Sequence, residues 1–292
     1  MKSYDILIIG PVSLDHNIDY LGNERKELGG AVVASGFAAA RSGSKTALFT
    51  KLNPADADVE KRFENSNADL YWKPSTTTCS IRNQYFTADK EKRVCTSMGV
   101  CDPFQFEELP DIDTKIYHFA GLVYGDFDGE LFEKAAKQGK VAVDVQCRLR
   151  HVAADKTMAF HDWDEKLKYL PCIDYLKTDA AEAEILTGLS DRAEAAKLLY
   201  SWGAREIMIT HNTEVLIYDG KEIYTCPIRA RNLTGRTGRG DTTFAGYITE
   251  RLRTGISEAL QYCTALVSLK METPGPFMGT REDVLEYIRE FY

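Results

Sequence analysis

No apolar run in this chain approaches the roughly 18 residues that a membrane-spanning helix needs. The opening stretch, from Met1 to Gly10, reads as a strand and not as a secretory leader, so a cytoplasmic location is expected. Metal cages are also missing. The 5 histidines stand at no zinc-ligand spacing, and the 7 cysteines, at 79, 95, 101, 147, 172, 226 and 263, form no Cys-x-x-Cys pair. They read as free, mostly buried thiols. Positive charge is in deficit: 36 Lys and Arg against 44 Asp and Glu give a net charge of −8, which argues against a nucleic-acid surface and favours a small-molecule partner. Repeats, linkers and low-complexity tracts are absent, so residues 1–292 are expected to form a single domain. A glycine fingerprint for a dinucleotide is lacking too. Gly10 is followed by Pro11, Val12 and Ser13, which argues against a nicotinamide-dependent oxidoreductase.

Strand-like apolar runs alternate with helical patterns. Ile6 to Ile9 precedes a helical Ala31 to Arg41, and Ile116 to Phe119 precedes Glu130 to Lys137. Val141 to Val145 follows, then Tyr175 to Leu176 before Ala180 to Leu186, and Arg192 to Trp202 leads into Ile207 to Thr210. Such a rhythm predicts helices on both faces of a mostly parallel sheet. Segments 17–28 and 75–100 break it, the second rich in Thr, Tyr and Arg with partly alternating polarity, and both read as strands of a small lid. A lid suits a reaction from which water must be kept.

The chemistry concentrates in Thr237-Gly238-Arg239-Gly240-Asp241-Thr242-Thr243-Phe244, which runs into Ala245 to Ile248, read as the opening of a helix. Glycines at 238 and 240 let successive N–H groups converge on one spot, and a helix start adds partial positive charge there. The N–H groups of Gly238, Arg239 and Gly240 are therefore candidate anion ligands. A carboxylate beside a bound phosphate is unfavourable unless it takes a proton or meets a metal, so Asp241 reads as a general base. The plain alternative is a loop whose Asp or Thr caps a helix.

This turn resembles the C-terminal signature of the ribokinase-like, or PfkB, carbohydrate kinases, usually Asp-Thr-Thr-Gly-Ala-Gly-Asp. Gly235 and Arg236 stand in place of its Asp and first Thr, and Arg239 in place of its Ala. The resemblance continues in the family's order through Asp15, Gly29-Gly30, the lid, the acidic segment Asp179 to Glu182 and the C-terminal helix of Leu266 to Glu272. It implies a three-layer α/β/α sandwich with a small β lid. It also implies ATP as donor, Mg²⁺ organised by Glu182, and a polyhydroxylated acceptor held by Asp15, Gly29 and Gly30. Asp179 lies at the family's Asn position beside the nucleotide.

Some positions depart from the pattern. Ala34, followed by Ser35, stands where related sugar kinases often carry Asn. The run Ile209-Thr210-His211-Asn212-Thr213-Glu214 lacks both glycines of the family's Thr-x-Gly-x-x-Gly, so Thr210 alone is carried over to the nucleotide, which puts the donor in question. Thr237 and Arg236 are expected against the donor phosphates. Gln146 and Arg148, past the end of a strand, and Arg82 in the lid, with Asn83 and Arg93, are candidate acceptor contacts. The acceptor class stays open among sugars, sugar acids, inositols and nucleosides. So do a monovalent-cation requirement and a homodimer through exposed lid strands. A catalytically silent relative that binds a sugar or nucleotide is the alternative.

Overall fold

The structure is a computed structural model that describes residues 2–87 and 93–292. Residues 88–92, within the expected lid segment 75–100, lie outside the described residues.

A nine-stranded sheet runs, from one edge to the other, through Ile223–Pro227, Glu214–Tyr218, Glu206–Thr210, Tyr175–Asp179, Lys140–Asp144, Ile112–Phe119, Lys2–Ile9, Thr46–Leu52 and Asp69–Pro74. All neighbouring pairs are parallel except the two that add Glu214–Tyr218 and Ile223–Pro227 at one edge. Alternation along the buried strands feeds two cores. Ile6 and Ile8 pack with Phe37, Phe244 and Leu266 on one face, while Leu7 and Ile9 pack with Phe132, Ala183 and Leu199 on the other. Helices Ala31–Arg41, Arg239–Glu250, Ile256–Lys270 and Arg281–Phe291 cover the first face. Glu130–Ala136, Ala180–Thr187 and Arg192–Ser201 cover the second. This is the expected α/β/α sandwich, a ribokinase-like fold.

The lid is a separate four-stranded sheet in the order Glu24–Gly29, Ser13–Ile18, Ser80–Tyr85, Arg93–Gly99. It is wider than segment 17–28 suggests. Asp15 and Gly29 are part of its strands, because Pro11 ends the first sheet strand early and the polar run from Ser13 pairs with Glu24–Gly29 in antiparallel register. The helix after the glycine-flanked turn also begins earlier than expected, at Arg239, so Asp241 lies in its first turn.

Candidate active site

Three strands end side by side at one edge of the sheet, carrying Asp144, Asp179 and Thr210, with Asp179 in register with Thr210. Ligands of open parallel sheets bind at this carboxyl edge. Gly238 caps the helix Arg239–Glu250 in the left-handed region at φ 76°, a conformation that favours glycine, and turns the helix start toward the same edge. A Cβ at Gly238 would lie 2.9 Å from the Cβ of Ala34, so Ala34 serves as the small wall behind the turn. The neighbouring Ser35 hydroxyl donates to the Asp241 carbonyl at 3.3 Å. The position four residues after Gly30 is therefore occupied in packing the turn.

Of the three amides expected to face an anion, that of Arg239 donates to the Arg236 carbonyl at 3.3 Å. The first helical turn itself presents the amides of Gly240 and Asp241 along its axis.

Beneath the turn lies a chain of buried charge. Lys177 Nζ is 2.9 Å from Asp144 Oδ2 and 3.8 Å from Glu182 Oε2, and it comes so close under Gly240 that a Cβ there would sit 3.2 Å from it. Asp144, Lys177 and Glu182 are all buried. Attraction to this acidic surround keeps Lys177 protonated despite its burial. Asp241 has a pKa pushed up to about 6: burial is the largest cause and the Asp144 carboxylate adds to it, against the opposing charges of Lys177, Arg150 and Lys270. Burial likewise raises Glu182, with Lys177 opposing.

Glu182 and Asp179 form a reciprocal cap. The Asp179 side chain accepts from the Glu182 amide, and Glu182 Oε2 accepts from the Asp179 amide, both at 2.8 Å. Among the described residues no group of three or more His, Cys, Asp or Glu side chains is disposed to hold a metal. One buried carboxylate beside a phosphate site fits Mg²⁺ nonetheless, because that ion keeps most of its water and takes its other ligands from the donor.

On the lid side, a Cβ at Gly29 would lie 2.3 Å from Asp15 Oδ2, and one at Gly30, where φ is 102°, would lie 2.6 Å from the Pro11 carbonyl. Both glycines are there because backbone and carboxylate approach too closely for any side chain. Asp15 accepts from the Ser13 hydroxyl, and burial raises its pKa against the charges of Arg150 and Arg93. Asn17, across from Asn83, accepts from the Asn83 amide at 2.9 Å, so Asn83 shares the Asp15 face.

The remaining expected residues fall elsewhere. The Arg148 guanidinium is buried over the Tyr124 and Trp163 rings, donating to the Phe127 carbonyl at 2.7 Å and to Glu165 at 3.2 Å, so it braces the fold. Arg82 lies exposed between two inward-facing neighbours, Ile81 and Asn83, on the opposite face of its strand. Gln146 is half-buried, its amide held by Asp144 Oδ1. Thr210 is buried with its hydroxyl on the Thr178 carbonyl at 3.4 Å. Thr237 is exposed, and Arg236 is half-buried within the turn.

Sequence reasoning passed over Arg150, two residues beyond Arg148. It is buried, donates to the Leu122 carbonyl at 2.7 Å, and its charge acts on both Asp15 and Asp241. It also missed Lys177 and Lys270. A lysine inside an apolar strand or helix is the signal that could have found them.

A sandwich with an anion-turn helix start, a buried carboxylate and a strand lid over the same edge defines the ribokinase-like class of phosphoryl-transfer folds. The chain belongs to the pfkB family of carbohydrate kinases, whose sequence profile matches residues 3–280. It is 31% identical to a pyrophosphate-dependent kinase of the ribokinase family solved with a pyrophosphate analogue and myo-inositol, covering 96% of this chain and 99% of that one at a TM-score of 0.88. A sulfate complex of a pyrophosphate-dependent kinase in the ribokinase family is 32% identical, covering 97% and 99%, at 0.89. A cytidine kinase of Thermococcus kodakarensis is 25% identical over 250 residues, 84% of this chain and 87% of that protein.

Proposed function

We propose that the protein transfers a phosphoryl group to a hydroxyl of a small polyhydroxylated molecule, a cyclitol foremost, with Asp241 as the base and inorganic diphosphate as the donor. Asp15 and Arg150 would hold acceptor hydroxyls under the lid, the carboxylate accepting two at once and the guanidinium donating to others. Asp241 would take the proton of the attacking hydroxyl, while the amides at the start of its helix stabilise charge on the transferred group. Bound with the donor and steadied by Glu182, Mg²⁺ would neutralise charge on the phosphate oxygens.

One contact carries the choice of donor. Arg239 donates to Asn212 Oδ1 at 2.8 Å, tying the anion turn to the glycine-free loop where the family resemblance puts the nucleotide. A guanidinium at that point suits the second phosphate of a diphosphate, and the likeness above 30% to pyrophosphate-dependent kinases supports the same reading. ATP is the second reading, favoured by the family as a whole. The lid, with Val94 and Met98 exposed on an edge strand, is proposed as a homodimer face. Among the described residues, no helix is long and apolar enough to cross a membrane.

Initial rates with Mg²⁺ and either diphosphate or ATP, across a panel of inositols, sugars, sugar acids and nucleosides, test the proposal. Turnover of an inositol with diphosphate and little with ATP is expected. ATP-driven turnover of a nucleoside would replace both donor and acceptor, and no turnover with any pair would favour the silent relative.

A further inference from the structure

A loop that turns its amides toward an anion turns its carbonyls the other way, and buried carbonyls need partners. In this turn the partner is Lys270, at the end of helix Ile256–Lys270. Its Nζ donates to the Gly235 carbonyl at 2.5 Å and to the Thr237 carbonyl, and the side chain is only 2% exposed. The surroundings lock it in place. Gly235 N–H donates to the Met271 carbonyl at 2.8 Å, the Thr234 hydroxyl to the Glu272 carbonyl at 2.8 Å, and a Cβ at Gly235 would lie 1.8 Å from the Thr273 carbonyl. Burial pushes the Lys270 pKa down to about 8, with the Asp241 charge opposing, so the ammonium is still protonated at neutral pH.

Two converging carbonyls beside a carboxylate make the kind of oxygen-lined spot that a free potassium or sodium ion occupies. Here that spot is filled by the protein's own ammonium. Gly235 adds no carboxylate, and the Thr273 carbonyl leaves no room for one. The residues present therefore do not fit a separate monovalent cation.

We infer that Lys270 acts as a tethered monovalent cation of the anion turn, a positioning residue that fixes the Gly235 and Thr237 carbonyls so that phosphoryl transfer needs no free alkali ion. The inference rests on the reading of the turn as the donor-phosphate site.

The test compares wild type with Lys270→Ala and Lys270→Met in buffers whose only monovalent cation is tetramethylammonium, then with potassium or ammonium titrated in at constant ionic strength. Wild type is expected to show the same rate and melting temperature throughout. Lys270→Ala should lose on the order of 100-fold in kcat and regain about tenfold or more with potassium or ammonium. Lys270→Met, which fills the space with a side chain, should lose as much and regain little. Three results would overturn the inference: a wild type whose rate or melting temperature climbs with potassium, a Lys270→Ala rate within about threefold of wild type, or a loss that no small cation restores. Melting temperature keeps this separate from the functional reading. If no donor and acceptor pair turns over, that reading fails, while a Lys270→Ala protein stabilised by potassium or ammonium, beside an indifferent wild type, still upholds the tethered cation, and its indifference refutes it. Should Lys270→Ala not fold, the ion response of wild type decides alone.

Discussion

Asp241 lies among Lys177, Arg150 and Lys270, yet burial and the Asp144 carboxylate outweigh those cations and hold its pKa at about 6. A carboxylate so placed is ionised at neutral pH but basic enough for the proposed role, accepting a hydroxyl proton as the phosphoryl group departs from its donor. Two consequences follow at this one residue. The kcat/KM profile should fall with unit slope as pH drops below about 6, which a rate series from acid to neutral pH checks. Stability runs the other way. A carboxylate raised from its unfolded value near 4 to about 6 contributes stability that is fully present below pH ~4 and lost as pH rises through ~6. Asp241→Asn should therefore melt a few degrees above wild type at pH 8, a gain of at most about 3 kcal/mol that shrinks toward pH 4. Thermal unfolding at the two pH values reads it directly. Asp241 was legible from the glycines around it. Arg150 was not: residues Gln146–Leu149 form a single helical turn before the chain extends again at Arg150, and nothing local says which of two arginines two residues apart brings its charge to Asp15 and Asp241.

The turn from Gly235 to Asp241 shows at the scale of an element why glycines recur here. Gly238 meets a backbone requirement, whereas Gly235 meets a steric one imposed by a segment far along the chain. Gly235→Ala should cost roughly 1–3 kcal/mol by displacing the 271–274 segment or the turn, and it should raise the donor KM more than the acceptor KM. Melting curves and paired KM measurements check both halves. Arg239→Ala should raise the diphosphate KM by about tenfold or more while leaving acceptor KM nearly unchanged, since the guanidinium proposed for the second phosphate is lost together with its tie to Asn212. In the lid, sequence reading located strands but misplaced their start. Ser13 to Ile18 is polar enough to pass for a loop, and only pairing with Glu24–Gly29 and Ser80–Tyr85 makes it a strand. The two outermost strands on each side of the sheet, Thr46–Leu52 with Asp69–Pro74 and Glu214–Tyr218 with Ile223–Pro227, carry no chemical motif, and the rhythm of the chemistry-bearing segments passes over them.

Across the whole molecule, the sheet order brings Asp15, Asp144, Arg150, Lys177, Glu182, Asp241 and Lys270 to one edge from segments that span most of the chain. Alternating strands and helices made the sandwich readable, because burial on both sheet faces imprints local periodicity. Charge pairing across the sheet leaves no such imprint, so the partners of the lysines beneath the turn emerge only in three dimensions. The lid's two outer edges differ in kind. Glu24 to Glu27 is charged and exposed, which discourages pairing, whereas Arg93–Gly99, already met at Thr96 and Ser97 by Thr157 and Lys156, exposes Val94 and Met98 at 51% and 54%. A dimer through that second edge should dissociate in Met98→Lys, as read by sedimentation velocity; a monomeric wild type would remove this face from the account.

The central claim is that Asp241 removes the acceptor proton at the anion turn. It is tested most directly by following phosphoryl transfer with ³¹P NMR at saturating donor and acceptor, wild type against Asp241→Asn, with binding of both ligands measured in parallel. The account predicts a loss on the order of 10³-fold or more in the variant with donor and acceptor still bound. A variant that turns over within about tenfold of wild type would contradict it.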